Sequence, residues 1–373
     1  MKVMSVFGTR PEAIKMAPVV RALDASPSID SVVCITGQHR QMLDQVLDLF
    51  QITAQHDLNV MKKAQSLTHI TTSVLEGLAP VLEAERPDWV LVHGDTTTTM
   101  AASLASYYHQ IPVGHVEAGL RTGNIYSPWP EEINRSVAGR ICTAHFAPTA
   151  SSRDNLLKEN VAPESIVVTG NTVIDALHWV TREVLADSDT ASTLASGFPF
   201  LVATKRMILV TGHRRESFDG GLVRVFRALA RLATRGDVQV VYPVHLNPVV
   251  QQAAHEVLDG VDDVHLVAPQ DYLPFAWLMT QSHLIISDSG GVQEEAPALG
   301  KPVLVTRETT ERPEAVDAGV VSLVGTDEDK IVEQATALLD DEQKYATMSQ
   351  AHSPYGDGLA ADRIVDYLSK TAS

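Results

Sequence analysis

Three carboxylates stand at positions suited to proton transfer. Asp95 lies in His93-Gly94-Asp95-Thr96-Thr97-Thr98-Thr99, and Glu117 in His115-Val116-Glu117-Ala118-Gly119-Leu120-Arg121-Thr122. Glu131 lies in Pro130-Glu131-Glu132-Ile133-Asn134-Arg135. The first two follow apolar runs of strand length, and the third opens a stretch of helical period. An acid and a base that exchange protons with a bound substrate are drawn from such groups. Structural readings compete. Asp95 before threonines suits a helix N-cap. Glu131 and Arg135, four apart, suit an ion pair on one helix face. Glu117, at a strand end before a turn of small residues, is harder to account for structurally.

Positive groups occupy comparable positions. Gly8-Thr9-Arg10-Pro11-Glu12-Ala13-Ile14-Lys15 follows the first apolar run, and Pro11 suits a first helical turn. Arg10 and Lys15 can hold a phosphate over free helix N–H groups, or be two solvated cations in a turn. The segment is not GxGxxG, so a dinucleotide fingerprint is missing. In the second half, Thr211-Gly212-His213-Arg214-Arg215-Glu216 offers groups that bind a diphosphate and assist its departure. Asp288-Ser289-Gly290-Gly291-Val292-Gln293-Glu294-Glu295 gives the strongest single signal. There Ser289 can cap a helix, and Gly290 and Gly291 let a phosphate approach its N–H groups. Glu294 or Glu295 can accept from a ribose diol. Gln270 and Phe275 supply an amide and a ring suited to a uracil, with a core Phe as the alternative. Arg312, in Thr309-Thr310-Glu311-Arg312-Pro313-Glu314, adds a further cation.

The elements that must position these residues alternate. Apolar runs over 3–7, 32–35, 89–92, 112–116 and 145–147 read as strands, with helical patterns over 11–23, 67–82 and 97–108. A polar Ser/Thr/Ala-rich stretch over 186–197 reads as a linker or long loop. The alternation restarts with strands over 207–211, 238–242, 264–266, 284–287 and 303–306 and helices over 221–233 and 291–299. A last helix is expected near 362–368. Strands separated by helices imply βαβ units and parallel sheets, which bind ligands at their carboxyl ends. The expected fold is therefore α/β, with two Rossmann-like domains whose parallel sheets face a central cleft. A length of 373 residues fits two domains.

Composition excludes other classes. There are 46 acidic and 29 basic residues, a net charge of -17, so long-range steering repels a nucleic acid. The two cysteines, Cys34 and Cys142, sit among apolar residues with no CxxC or Cys/His cluster, so no metal site is expected. The N-terminus lacks a signal-peptide pattern, and no run of about 18 apolar residues suggests a membrane span. A cytoplasmic protein is expected.

Taken together, the stretches FGTRPEAIKMAP, TGQHRQML, VHGDTTTT, HVEAGLRTGN, PEEINR, TGNTVIDAL, TGHRRES, SDSGGVQEEAP and RPEA resemble the non-hydrolysing UDP-N-acetylglucosamine 2-epimerase family. They run in the family's order from residue 7 to residue 315. The resemblance implies a glycosyltransferase-B type architecture, with an N-terminal domain over 1–170, a UDP-binding domain over 171–358, and a helix over 359–373 packing back on the first. It implies a homodimer without cofactor or metal. It implies catalytic roles for Lys15, Asp95, Glu117, Glu131 and His213. It implies contacts to UDP or the sugar from Arg10, Arg135, Gln270, Phe275, Ser289, Gly290, Gly291, Glu295 and Arg312. Gln38, His39, Gln41 and Met42 match a second substrate site that activates bacterial members. Where many members carry an arginine before the Gln-Ser/Thr-Leu step, this chain has Ala64, which removes one phosphate contact there.

The reaction so implied converts UDP-N-acetylglucosamine to UDP-N-acetylmannosamine, for surface polysaccharide synthesis. The hydrogen on the second sugar carbon is not acidic, because no carbonyl adjoins it. The family route is elimination of UDP to 2-acetamidoglucal and re-addition. Rival readings are a hydrolysing 2-epimerase, a glycosyltransferase of the same architecture and a non-catalytic nucleotide-sugar sensor.

Overall fold

The computed structural model describes residues 1–37, 40–62, 65–214 and 217–371. It divides into two compact units, Met1–Ala176 with Tyr355–Ser373, and Leu177–Pro354. The first unit contains β1 (Lys2–Phe7), α1 (Arg10–Ala25), β2 (Asp30–Ile35), α2 (Arg40–Phe50), β3 (His56–Asp57), α3 (Leu67–Glu85) and β4 (Trp89–His93). It continues with α4 (Thr97–Tyr108), β5 (Val113–Val116), α5 (Glu131–Ile141), β6 (Ala144–Ala147), α6 (Ala150–Lys158) and β7 (Ile166–Val168). The chain leaves it through α7 (Thr172–Trp179).

The seven strands form one parallel sheet in the order β3-β2-β1-β4-β5-β6-β7. The sheet grows outward in both directions from β1 and β4, the doubly wound arrangement whose ligands sit at strand carboxyl ends. Strands β4 and β5 are buried along their whole length, as a parallel sheet covered on both faces requires.

The second unit contains α8 (Ser188–Ser196), β8 (Arg206–Thr211), α9 (Gly221–Ala233), β9 (Val238–Pro243), α10 (Pro248–Leu258), β10 (Val264–Val267), α11 (Tyr272–Gln281) and β11 (Leu284–Ser287). It continues with α12 (Gly290–Ala298), β12 (Val303–Val305), α13 (Pro313–Asp317), β13 (Val321–Leu323), α14 (Glu328–Asp340) and α15 (Glu342–Ser349). Its sheet is again parallel, in the order β10-β9-β8-β11-β12-β13. Helix α9 buries Leu222, Val225, Phe226, Leu229 and Leu232 against it. The final helix, α16 (Ala360–Thr371), belongs to the first unit.

Two boundaries differ from the expectation. The first unit extends past residue 170 to Ala176, because the start of α7 is bonded to the returning C-terminal segment. The Asn171 N–H donates to the Tyr355 carbonyl at 2.7 Å, and the Ala361 N–H donates to Asp175 Oδ1 at 2.8 Å. The stretch 186–197 is a helix, α8, and not a loop. Asp187 caps it, accepting from the Thr190 N–H at 2.9 Å and the Thr190 hydroxyl at 2.7 Å. Phe198 then stacks on Trp277 with ring centroids 5.4 Å apart.

Candidate active site

In the first unit, the candidate residues gather where β1, β4 and β5 end. Helix α1 begins with a capping box. The Thr9 side chain accepts from the Glu12 N–H, and Glu12 accepts from the Thr9 N–H at 2.8 Å and the Gly8 N–H at 3.1 Å. The other oxygen of Glu12 accepts from the Thr96 hydroxyl at 2.7 Å, tying the start of α1 to the start of α4. Thr96 caps α4 by accepting from the Thr99 N–H at 3.1 Å. The capping role thus falls to Thr96, and Asp95 is released from it.

Asp95 is held from α5 instead. Its Oδ2 lies 2.6 Å from Arg135 Nη2, and its backbone carbonyl accepts from the Asn134 amide at 3.0 Å. Arg135 therefore pairs with Asp95, and with Glu132 at 3.6 Å, rather than with Glu131 as the competing structural reading had it. Glu132 is buried and accepts from the N–H groups of Thr122 and Gly123, fixing the loop after β5. Glu131 is half-buried, and no described side chain forms an ion pair or hydrogen bond with its carboxylate.

Glu117 has the most determined surroundings. It sits at φ 61, a left-handed conformation that a non-glycine residue rarely adopts. Its Oε2 accepts from the Lys15 ammonium and from the Asn171 amide at 2.9 Å, with His93 Nε2 at 3.8 Å. Burial alone would push its pKa up. The Lys15 charge and then the His93 imidazole outweigh that, holding the carboxyl well below the usual range. Glu117 is therefore a carboxylate. A side chain at Gly94 would begin 3.9 Å from Glu117 Oε1, so the turn leading to Asp95 passes beside it.

A row of imidazoles backs this group. His115 Nε2 donates to the Gly94 carbonyl at 2.6 Å, and His145 is its register partner on β6. Burial lowers His115 to about 3 and His145 to about 4, so both are neutral.

In the second unit, His213 follows β8, Ser289, Gly290 and Gly291 follow β11, Gln270 and Phe275 follow β10, and Arg312 follows β12. Asp288 is buried, and its Oδ2 accepts the backbone N–H groups of His213 at 2.7 Å and Arg214 at 2.8 Å. Ser289 occupies the N-cap of α12 without a side-chain capping bond; its N–H donates to Ser287 Oγ at 2.9 Å. Arg312 Nη2 lies 4.0 Å from where a Gly290 side chain would begin, and Arg312 Nε donates to Glu294. Glu294 is so engaged, and Glu295 is the other acid of this turn. Phe275 is half-buried in the first turn of α11. The Gln270 amide donates to the Ala268 carbonyl at 2.7 Å.

Of the second-site residues, Gln38 and His39 lie outside the described residues, as do Ala64 and the side chain of Gln41. Met42 is exposed on α2. Among the described residues, no group of three or more His, Cys, Asp or Glu side chains is arranged for a metal ion. No described helix is long and apolar enough to cross a membrane.

A sequence model described as UDP-N-acetylglucosamine 2-epimerase matches residues 21–369. The UDP-N-acetylglucosamine 2-epimerase of Escherichia coli K12 is 60% identical, over 99% of this chain and 98% of its own length. This chain belongs to the UDP-N-acetylglucosamine 2-epimerase family. The Bacillus subtilis protein of that name is 56% identical, over 99% of this chain and 95% of its own. The crystal structure of the Neisseria meningitidis UDP-GlcNAc 2-epimerase bound to UDP-GlcNAc superposes with a TM-score of 0.91 at 52% identity, covering 99% of this chain and 100% of that one.

Within this epimerase family member, three side chains of the described site escaped sequence reasoning. Asn171 and His93 both face Glu117, and Asp288 organises the turn at His213. Each lies inside or beside a stretch singled out in the sequence. Their signal is position alone: His93 ends β4, Asn171 precedes α7, and Asp288 follows β11.

Proposed function

We propose that this protein interconverts UDP-N-acetylglucosamine and UDP-N-acetylmannosamine by eliminating UDP and adding it back, without releasing free sugar. The observation that carries this is Glu117, a buried carboxylate kept ionised by Lys15 beside the turn that bears Asp95. An ionised carboxylate accepts a proton, so Glu117 is the base for the second sugar carbon. Asp95 already has the Arg135 guanidinium against it. Glu131 has no cation paired with it among the described residues and is the group assigned to deliver a proton to the opposite face of the sugar.

Departure of UDP places negative charge on its terminal phosphate. The first-turn N–H groups of α12, Arg312 and His213 are the donors assigned to that charge, with Arg10 from α1. Gln270 and Phe275 are assigned to uracil and Glu295 to the ribose. The same reading includes a cytoplasmic homodimer serving surface polysaccharide synthesis, and a second substrate molecule bound near Gln38, His39, Gln41 and Met42.

The test is proton NMR of UDP-N-acetylglucosamine with the protein in deuterated water. The expected result is UDP-N-acetylmannosamine with deuterium at the second carbon of both sugars. Retention of the original hydrogen would overturn the elimination route. Appearance of free N-acetylmannosamine and UDP would assign a hydrolysing enzyme. Asp95→Asn, Glu117→Gln and Glu131→Gln are each expected to lower turnover by roughly 10²-fold or more.

A further inference from the structure

The surroundings of His213 contain a group that the reading above leaves unused. Asp288 Oδ2 is occupied by two backbone N–H groups, at 2.7 and 2.8 Å. Its Oδ1 is buried and has no hydrogen-bond partner among the described residues, yet it stands 3.3 Å from His213 Nδ1. The Asp288 side chain is 1% exposed, whereas that of His213 is 38% exposed. On its flank, His213 stacks against His245, with ring centroids 5.1 Å apart and planes 18° apart. The Tyr242 hydroxyl donates to the Gly212 carbonyl at 2.8 Å and pins the same turn from β9.

A buried carboxylate oxygen without a donor keeps the full cost of its lost hydration. Among the described residues, the ring nitrogen that stands against it is His213 Nδ1. If Nδ1 carries the hydrogen, the orphaned oxygen gains a charge-assisted contact. If Nδ1 is bare, its lone pair faces that of the buried carboxylate oxygen at 3.3 Å. We propose that Asp288 is a positioning residue that fixes the Nδ1–H form of His213, so that Nε2 is the nitrogen presented to the ligand. The identity of that ligand, the diphosphate of a UDP-sugar, rests on the function proposed above; the state of the ring does not.

Among the described residues, the charged and titratable groups facing the imidazole are Asp288, His245 and Arg214. In the unliganded protein, burial keeps His213 below its ordinary pKa in spite of Asp288, with His245 and Arg214 adding to the effect. The ring is then neutral, with Nε2 bare. A diphosphate at Nε2 brings negative charge, which favours a proton on that nitrogen. The imidazolium then lies between Asp288 Oδ1 and a phosphate oxygen. As the bond from sugar to phosphate oxygen breaks, its electron pair stays on that oxygen, which accepts a hydrogen bond from Nε2–H. Asp288 is thus worth most in the transition state.

The experiment reads the ring directly. Protein labelled with ¹⁵N-histidine is examined without ligand at pH 8, and the His213 resonances are assigned by their loss in His213→Gln. The expected wild-type spectrum has a protonated Nδ1 and a bare Nε2. Asp288→Asn places an amide donor against Nδ1 and is expected to switch the proton to Nε2. It is also expected to lower kcat roughly 10²-fold or more, with a KM change below about threefold. A wild-type ring with bare Nδ1 overturns the proposal whether or not the variant folds. A folded Asp288→Asn protein with an unchanged tautomer overturns it as well. Because the ring is observed without substrate, a failure of the epimerase reading appears separately, as a wild-type protein that does not turn over UDP-N-acetylglucosamine.

Discussion

At the scale of single residues, Lys15 and Glu117 form a pair whose halves have different jobs. The ammonium keeps the carboxylate ionised against the effect of burial. Lys15→Met removes that charge and leaves Asn171 and His93 as its described neighbours, so the Glu117 pKa rises. A base is lost as pH falls through its pKa, so the acidic limb of the rate profile moves to higher pH in the variant. Each unit of rise lowers the rate at pH values below it by about tenfold. The measurement is kcat/KM from pH 6 to pH 9, with the deficit of Lys15→Met expected to be largest at pH 6. A deficit independent of pH would assign Lys15 to substrate binding instead. Position along the chain singles out Asp95 and Glu117 after apolar runs of strand length, and Glu131 at the start of a helical stretch. Their partners were less legible. Spacing along one helix offers Glu131 as a structural partner for Arg135, whereas its guanidinium reaches across to Asp95. Tertiary contacts of this kind leave no periodic trace.

At the scale of elements, the starts of α1 and α4 are one structure. The Thr9–Glu12 capping box is visible in sequence as Thr-x-x-Glu, but the reach of Glu12 to Thr96 and Thr99 is not. Glu12→Ala leaves the Gly8 and Thr9 N–H groups without their acceptor and cuts the tie to α4. It is expected to destabilise the protein by about 2–4 kcal/mol. Glu12→Gln, which keeps one acceptor oxygen, is expected to cost less. Guanidinium unfolding monitored by circular dichroism checks both, and equal stability of wild type and Glu12→Ala would show that the network is dispensable. Because Arg10 occupies the first turn of α1, the same variant is expected to raise KM. Strand and helix alternation was legible for every long apolar run. The strands without a signal are β3, β7 and β13, two or three residues each at or near sheet edges, too short to show a pattern. Helix α8 was hidden by its Ser/Thr/Ala composition, and its Asp187 cap was the available cue.

At the scale of the whole molecule, the chain returns to its first unit through a junction that the sequence does not reveal. Helix α16 buries Ile364 and Leu368, and Tyr367 meets Trp89 and Phe146 edge-on, with centroids 6.4 and 5.5 Å away. Asp175 on α7 receives the start of α16, accepting from the Ala361 N–H, while its Oδ2 is buried with no hydrogen-bond partner among the described residues. Burial raises the Asp175 pKa to about 6. A carboxyl whose folded pKa lies above its unfolded value of about 3.9 favours the fold at low pH. That contribution is complete below the unfolded pKa and is lost as pH rises through about 6. Above it, the folded protein holds a buried charge with an unsatisfied oxygen. Asp175→Asn keeps an acceptor for Ala361 and removes the charge. Its Tm relative to wild type is therefore expected to become more favourable between pH 4.5 and pH 8, by an amount on the order of 1–3 kcal/mol in stability. Calorimetry at both pH values measures the difference. A Tm difference that does not change with pH would mean that the Asp175 carboxyl titrates alike in the folded and unfolded chain.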